Sequence, residues 1–130
     1  MIRGLNTTRS LICALDDTDT VVLNNINIIR KKNESSNLEF ILGILNSKLM
    51  NFYFKTLITD VNIKTVYLDL LPIRYDNEEL VEKIVKLVKK MIVKKVFDEV
   101  ISDEIDLLVY KLYNLTSTEI ELIESFYPKN

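Results

Sequence analysis

The stretch LEFILGILNSKLMNFYFK, from Leu38 to Lys55, decides how the rest of the chain must be arranged. Apolar and aromatic side chains fill most of its positions. A narrow polar strip recurs at every fourth position, through Glu39, Gly43, Ser47, Asn51 and Lys55. A helix that is apolar around most of its circumference is buried, so the pattern predicts one central helix with other elements packed around it. Polar residues at 46–48 interrupt the apolar runs, which are too short for a membrane span, so no membrane partner is expected.

Composition limits the classes of protein to which the chain can belong. Its 130 residues, 48% of them hydrophobic, predict a single domain over residues 1–130. Within it we expect a first part over 1–75, made of strands and the central helix, and a helical part over 76–130. The chain has one cysteine, Cys13, and no histidine, which excludes an internal disulfide, the common zinc sites and histidine-based catalysis. No secretory leader pattern begins the sequence, so we expect a cytoplasmic protein.

The net charge of −2 conceals an uneven distribution of charge along the chain. Residues 1–95 carry 15 Lys and Arg against 11 Asp and Glu, whereas residues 96–130 carry 2 against 8. A basic body followed by an acidic end is compatible with nucleic-acid contact by the first part. The sequence pI near 5.2 is far below that of domains that bind DNA by charge alone. Any contact with DNA is therefore expected to be local, or shared with another chain.

The segments on either side of the central helix have the composition of strands. Residues 20–30 and about 61–73 are rich in Val, Ile and Thr, which favour strands, and residues 9–15 are predicted as a further short strand. The Asp-Asp-Thr-Asp run at 16–19 predicts a hairpin turn; its carboxylates also suggest a metal site, but EF-hand spacing is absent. The predicted fold class is therefore α+β, with a small, mostly antiparallel sheet packed on the central buried helix and followed by a C-terminal helical part.

Capping residues predict where the helices begin. Capping boxes pair a short polar residue with Glu three positions later: Ser36 with Glu39 for the central helix, Asp76 with Glu79 for a helix over 77–96, and Thr116 with Glu119 for the last helix. Ser102 is expected to cap another helix, with Asp103 and Glu104 in its first turn and its end at Asn114.

One face of the helix predicted over 77–96 is rich in lysine. Its members are Lys83, Lys86, Lys89, Lys90, Lys94 and Lys95. Such a face is most often simply solvated, but it also suits contact with phosphates or with a partner protein. The sequence leaves these three alternatives open.

The segment IDLLVYKLYNLTSTEIELIE, at 105–124, resembles the closing segment of bacterial type IIG restriction-modification enzymes and related adenine-specific DNA methyltransferases. There, a D-x-L-V-Y-x-L-Y-x-L-T-x-x-E-I-x-x-I-E run ends a TaqI-like specificity domain. Three upstream segments agree in order: LNNINIIR with the family's strand, ILGILNSKLMNFYFK with its helix, and LDLLPIR with its LPIP turn. Arg74 stands where that turn has its second proline. The resemblance covers roughly residues 9–124.

The resemblance implies a DNA target-recognition domain, or its C-terminal portion, that works beside a methyltransferase domain and, in some enzymes, a nuclease domain. The sequence has no Asn-Pro-Pro-Tyr motif, no glycine-rich cofactor loop and no PD-(D/E)-x-K set. The chain is therefore expected to bind duplex DNA without catalysis and without a cofactor of its own. S-adenosylmethionine and Mg²⁺ are expected in the parent enzyme. The chain is read as a fragment, a split subunit or a degraded reading frame, and the sequence does not decide among these.

Contacts with DNA are expected from side chains in or beside the loop-rich stretches, since lysine and arginine hold phosphates while Asn, Arg and Lys read base edges. The candidates are Arg3, Arg9, Lys55, Asn62, Lys64 and Arg74. Tyr53 and Tyr67 are considered for stacking, with a core role favoured for Tyr53. Tyr110 and Tyr113 are assigned to packing between the last two helices.

Two other classes of function stay open. The last three helices also resemble those by which specificity units dock on methyltransferase subunits, so the chain could serve as an assembly adaptor. An adaptor would bind its partner without DNA and would not need the lysine-rich face. An enzyme is the least supported class, because no nucleophile, base or metal cluster is legible in the sequence.

Overall fold

The computed structural model describes residues 11–16, 18, 28–35, 37–57 and 65–127, with the backbone alone described at 65 and 66. The helices of these ranges are α1 (Leu38–Leu45), α2 (Lys48–Leu57), α3 (Thr65–Asp69), α4 (Glu78–Lys94), α5 (Glu99–Leu112) and α6 (Ser117–Ser125). Within the same ranges, no helix has both the length and the apolarity needed to cross a membrane.

The predicted α+β class is wrong, because the described residues contain helices and no strand. Residues 11–15 have no regular structure, and helix α3 occupies part of the stretch predicted as strands at 61–73. Of the strand predicted at 20–30, only 28–30 are described, and they are irregular. Enrichment in Val and Ile reports a half-buried surface more than a backbone preference, so it does not separate strands from other buried segments.

The predicted central helix is two helices, α1 and α2, divided at Asn46 and Ser47. The Ser47 hydroxyl donates to the Ile44 carbonyl at 2.6 Å and accepts the Met50 amide at 3.2 Å. Ser47 thereby ends one helix and acts as N-cap of the next, which is the local competition with helix bonding that serine side chains offer. The break turns one long element into two shorter ones that meet different neighbours.

Helices α4 and α5 form an antiparallel pair against which α1 packs, and this arrangement makes the core. The fully buried side chains include Phe40 and Ile44 of α1, Ile84 of α4 and Val109 of α5. Gly43 sits where α1 meets α4, because a Cβ at this position would lie 2.9 Å from the γ-methyl carbons of Ile84 and Val88. The missing side chain allows the close approach of the two helices.

Three helices begin near, but not at, the capping residues predicted for them. The observed N-caps are Asn37 for α1, Asn77 for α4 and Asp98 for α5. Each side chain accepts the backbone amide three residues later, as an N-cap does. Ser36 lies outside the described residues. Asp76 instead pairs with Arg74, and Ser102 lies inside α5, so Asp103 and Glu104 are beyond its first turn.

The C-terminal helices otherwise agree with the sequence patterns. The helix predicted over 77–96 is confirmed as α4, and the capping box of Thr116 with Glu119 is confirmed at the start of α6. Asn114, predicted as a helix stop, lies just beyond α5 with φ 54°, a left-handed conformation that asparagine adopts readily. The division into parts at 1–75 and 76–130 stays a prediction.

Candidate nucleic-acid interface

The six residues proposed to contact DNA are divided by the extent of the described structure. Arg3, Arg9, Asn62 and Lys64 lie outside the described residues, whereas Lys55 and Arg74 lie within them. Lys55 is exposed in the last turn of α2, where the helix dipole favours a cation. That these six residues form one surface stays a prediction.

Arg74 is held by an acidic neighbour two residues away. Its Nε and Nη2 atoms donate to the two carboxylate oxygens of Asp76, at 3.2 and 2.5 Å. This bidentate hydrogen bonding holds the pKa of Asp76 below its usual range and raises that of the Arg74 guanidinium. Both side chains are partly exposed, so the pair is weak in free energy and open to exchange. A phosphate approaching Arg74 would have to compete with Asp76.

The backbone around Arg74 is fixed to the end of α5 by Tyr113. The tyrosine hydroxyl donates to the Pro72 carbonyl at 2.5 Å and accepts the Arg74 amide at 3.3 Å. The pKa of Tyr113 is raised, chiefly because its ring is withdrawn from water. The Tyr113 side chain packs against the main core cluster and not against the cluster of Ile123 in α6, so its interpretation as packing between the last two helices is wrong. That interpretation is confirmed for Tyr110, which packs with Ile123 of α6.

Two asparagine side chains hold the segment that follows Arg9. Asn51 Oδ1 accepts the Leu11 amide at 2.6 Å, and its Nδ2 donates to the carbonyls of Leu45 and Ser47 at 3.1 and 2.9 Å. Asn46 accepts the Cys13 amide at 2.8 Å and donates to the Cys13 carbonyl at 2.9 Å. We call these two side chains, with the backbone they bind, the asparagine clamp.

The clamp works as a neighbouring strand would. Amide side chains carry the same donor and acceptor as the peptide group, so Asn46 pairs with both polar atoms of the Cys13 backbone. Asn51 is fully buried, and each of its polar atoms has a partner, as burial requires. The segment 11–13 can thus lie against the break between α1 and α2 without a sheet.

A second polar cluster joins the start of α2 to the C-terminal helices. Asp106 of α5 accepts the Lys48 amide at 2.9 Å, and so caps α2 from another element. The Lys48 ammonium, largely buried, lies 2.9 Å from a Glu124 carboxylate oxygen and 3.9 Å from Asp103. The other oxygen of Glu124 accepts the Tyr110 hydroxyl at 2.8 Å. Burial and this hydrogen bond raise the pKa of Tyr110.

The residues of this cluster belong to two of the motifs that resemble the restriction-modification family. Asp106, Tyr110 and Glu124 occupy the first D, the first Y and the final E of that motif, and Lys48 lies in the helical motif. Their role as a connection between helices was not foreseen. The available signal was Lys48, a charged residue within a largely apolar helical stretch, since a buried charge needs a partner.

An open cavity of about 440 Å³ lies between the clamped segment and the helices. Its wall is largely apolar, formed by residues 11–13, α1, α4 and α5, with Asn46, Ser102 and Asp106 among its polar side chains. Cys13 lines it, and withdrawal from water raises the pKa of its thiol to about 11. The thiol is therefore protonated, and unreactive as a nucleophile, at neutral pH.

The outer face of α4 carries several exposed lysines. Lys83 pairs with Glu79 at 3.0 Å, and Lys94 pairs with Asp98, which lowers the pKa of both carboxyl groups. Between these pairs lie Lys86, Lys89 and Lys90, all exposed. We call these three residues the lysine triad. In the described part of the chain, no carboxylate lies within ion-pair distance of them.

The comparisons with known proteins agree with one part of the resemblance. A family sequence model described as the TaqI-like C-terminal specificity domain matches residues 1–73, more than half of the chain. This match confirms the family suggested by the motifs, although helices α4, α5 and α6 lie beyond it. No curated protein and no solved structure was found to match. In the described ranges, no group of three or more His, Cys, Asp or Glu residues could hold a metal ion.

Proposed function

The chain belongs to the TaqI-like C-terminal specificity domain family, and from this premise we propose that it is the target-recognition portion of a restriction-modification enzyme, binding duplex DNA without catalysis of its own. The parent enzyme is proposed to be a type IIG enzyme or an adenine-specific DNA methyltransferase. It would supply the methyltransferase or nuclease part, together with S-adenosylmethionine and Mg²⁺. The protein is proposed to act in the cytoplasm of a bacterium, where its DNA substrate is.

The observation that supports this proposal is the anchoring of the chain beside the candidate residues. The asparagine clamp begins two residues after Arg9, and Tyr113 holds the backbone on both sides of Ile73, at Pro72 and at Arg74. Lys55 stands on α2, whose first turn is capped by Asp106. Recognition residues are most often found on loops that a rigid scaffold positions, and this helical scaffold provides such anchors.

The proposed roles of the candidates follow from their chemistry. Arg3, Arg9, Lys55 and Lys64 would contact phosphates, which sets the register of the protein on the duplex without reading sequence. Asn62 and Arg74 are the proposed base-reading residues, because amide and guanidinium groups make paired hydrogen bonds with adenine and guanine edges. Arg74 would exchange its bond with Asp76 for one with DNA.

Equilibrium binding of a labelled, mixed-sequence duplex tests the proposal. Fluorescence anisotropy at low and physiological salt should show binding that weakens steeply with salt, because bound phosphates release counterions. Replacing two proposed phosphate contacts, as Lys55→Gln with Lys64→Gln, should make the negative slope of log K against log salt shallower by about 1.8. The matched control, Lys31→Gln with Lys32→Gln, removes two exposed lysines outside the candidate set. No binding by the unaltered chain at low salt would refute the proposal.

A second candidate function, assembly with the catalytic subunit, is favoured by an exposed apolar surface where α4 turns into α5. We call it the apolar tip, formed by Val93, Val96, Phe97 and Val100, which are 80%, 71%, 69% and 67% exposed. Contiguous exposed apolar residues often mark a protein interface. If the chain is an adaptor, it will co-elute with the methyltransferase subunit without DNA, and Val96→Ser with Phe97→Ser will abolish co-elution. If this variant loses DNA binding but still co-elutes with the methyltransferase subunit, recognition is supported instead.

A further inference from the structure

We infer that the lysine triad of α4 is a second, sequence-independent contact with the phosphates of duplex DNA. The inference rests on the proposed function and extends it to a helix outside the family match, which ends at residue 73. The candidates named above lie in or before the Pro72–Arg74 segment, so the triad would enlarge the footprint on DNA. Three steps support it: the pairing of the lysines, their spacing, and the burial of the opposite face.

The pairing pattern on α4 singles out the triad. The lysine before it pairs with Glu79, and the lysine after it with Asp98. Both pairs are exposed and individually weak, but each places a carboxylate beside its lysine and so offsets part of its charge. Lys86, Lys89 and Lys90 keep theirs. Within α4, the positive charge available for an external anion is therefore concentrated in the middle of the helix, and Lys95 adds an exposed charge just beyond its end.

The spacing of the triad brings the three charges together. Lys86 precedes Lys89 by three residues and Lys90 by four, so the side chains of each of these two pairs are neighbours, with roughly 5–6 Å between Cβ atoms. Like charges at this separation destabilise a helix slightly, and that repulsion is relieved when a polyanion binds. Such a cluster favours a ligand with closely spaced negative charges, as a DNA strand has.

The burial of α4 decides between DNA and a membrane surface. Helices that lie on anionic membranes insert an apolar face beside their lysines. The apolar face of α4 carries Ile84 and Val88, which are buried in the core against α1 and α5. That face is not available for insertion, and the exposed apolar residues of α4, Ile92 and Val93, are confined to its last turn. The triad can contact a rigid polyanion from the outside, and the fixed core holds the three lysines in place while it does.

Salt-dependent binding tests the inference with variants of equal net charge. The test variant is Lys86→Gln, Lys89→Gln and Lys90→Gln, since glutamine keeps helix propensity while removing charge. The control variant removes three other exposed lysines, as Lys31→Gln, Lys32→Gln and Lys111→Gln. The full 130-residue chain is titrated into a labelled, mixed-sequence duplex at several salt concentrations. Circular dichroism and a urea transition establish that both variants are folded.

The test variant should make the negative slope of log K against log salt shallower by about 2.7, as three lost phosphate contacts require. It should also weaken binding equally for unrelated DNA sequences. The control variant should keep most of the slope. If the unaltered chain binds DNA and the test variant shows the same salt slope as the unaltered chain, the inference is overturned and the proposed function stands. The triad then serves solvation or an acidic protein. An equal loss in the control also overturns it. Absence of binding by the unaltered chain refutes the proposed function first, and the inference with it.

Discussion

At the scale of single residues, the chain uses a few polar side chains to solve problems that a backbone usually solves. Asn46 imitates a peptide group toward Cys13, and Ser47 ends one helix while it begins another. Asn51, which is fully buried, likewise accepts the backbone amide of Leu11. Each would be expensive without partners, since an unsatisfied buried polar group costs about 1–3 kcal/mol. Polar residues in an apolar stretch thus mark junctions between segments.

Among the described residues, Lys95 and Asn114 have a positive φ, a conformation that lysine tolerates less readily than asparagine. Lys95 follows α4 with φ 57°, in the left-handed region, where its Cβ is crowded. Lys95→Gly removes that crowding and should raise the free energy of unfolding by about 0.5–1 kcal/mol, measured by urea denaturation. Lys95→Ala is the matched control, because it removes the same charge but keeps the Cβ. A gain with alanine equal to that with glycine would show that the charge, and not the conformation, is responsible.

At the scale of elements, the contacts of α1 with α4 and of α2 with α5 join the first two helices to the α4–α5 pair. The first depends on the absence of a side chain at Gly43, and the second on a carboxylate that caps α2 from a distance. Helices this short are marginal alone, so their stability comes from such contacts. The local patterns that predict the helices are therefore incomplete descriptions of what holds them.

Gly43→Ala tests the close approach of α1 and α4. Alanine gains helix propensity of about 1 kcal/mol over glycine, but its Cβ would lie 2.9 Å from two β-branched, tightly packed side chains. Overpacking should prevail and lower the free energy of unfolding by about 1–2 kcal/mol, as measured by urea denaturation. In a double-mutant cycle, Val88→Ala should relieve part of this loss, because it removes one of the crowded methyl carbons. Strict additivity of the two changes would contradict the steric explanation.

Asp106 tests the cap that joins α5 to α2. Asp106→Ala leaves the buried Lys48 amide without its acceptor and removes a carboxylate near the start of α2. The free energy of unfolding should fall by about 2–3 kcal/mol in thermal or urea denaturation. Asp106→Asn keeps an oxygen acceptor and should lose clearly less. If asparagine were as damaging as alanine, the negative charge rather than the hydrogen bond would be the stabilising feature.

At the scale of the whole molecule, the described residues of the family match share their core with the helices that follow them. Phe40, Ile44 and Phe54 lie in one cluster with Ile84, Val88 and Ile105, which come from beyond residue 73. The polar cluster of Lys48 with Asp106 and Glu124 crosses the same boundary. The described residues of the family match and the helices beyond residue 73 are therefore structurally dependent on each other.

A chain truncated to residues 1–73 should fail to fold. Removal of α4, α5 and α6 exposes the buried faces of α1 and α2 and deletes the cap of α2. Far-UV circular dichroism should show little helix in the fragment, whereas the full chain should unfold in one cooperative urea transition. Two separate transitions in the full chain, or a cooperative transition in the fragment, would contradict this dependence.

The sequence by itself determined the family, the C-terminal helices and the burial of the stretch from Leu38 to Lys55. These follow from periods, caps and motifs that a linear pattern contains: α4 and the capping box of α6 were predicted on that basis. The four motifs in order led to the family whose sequence model matches residues 1–73. Local signals of this kind survive folding because neighbours in sequence remain neighbours in a helix.

Only the tertiary structure decided that the described part has helices and no sheet, and that the central stretch is divided. Segment 11–13 is held by Asn46 and Asn51 from 33 and 40 residues away, contacts that no local pattern specifies. The α2 cap comes from Asp106, 58 residues beyond Lys48. A side chain that satisfies a distant backbone group replaces a strand partner or a local cap. Composition alone does not distinguish these alternatives, because the same apolar residues suit both.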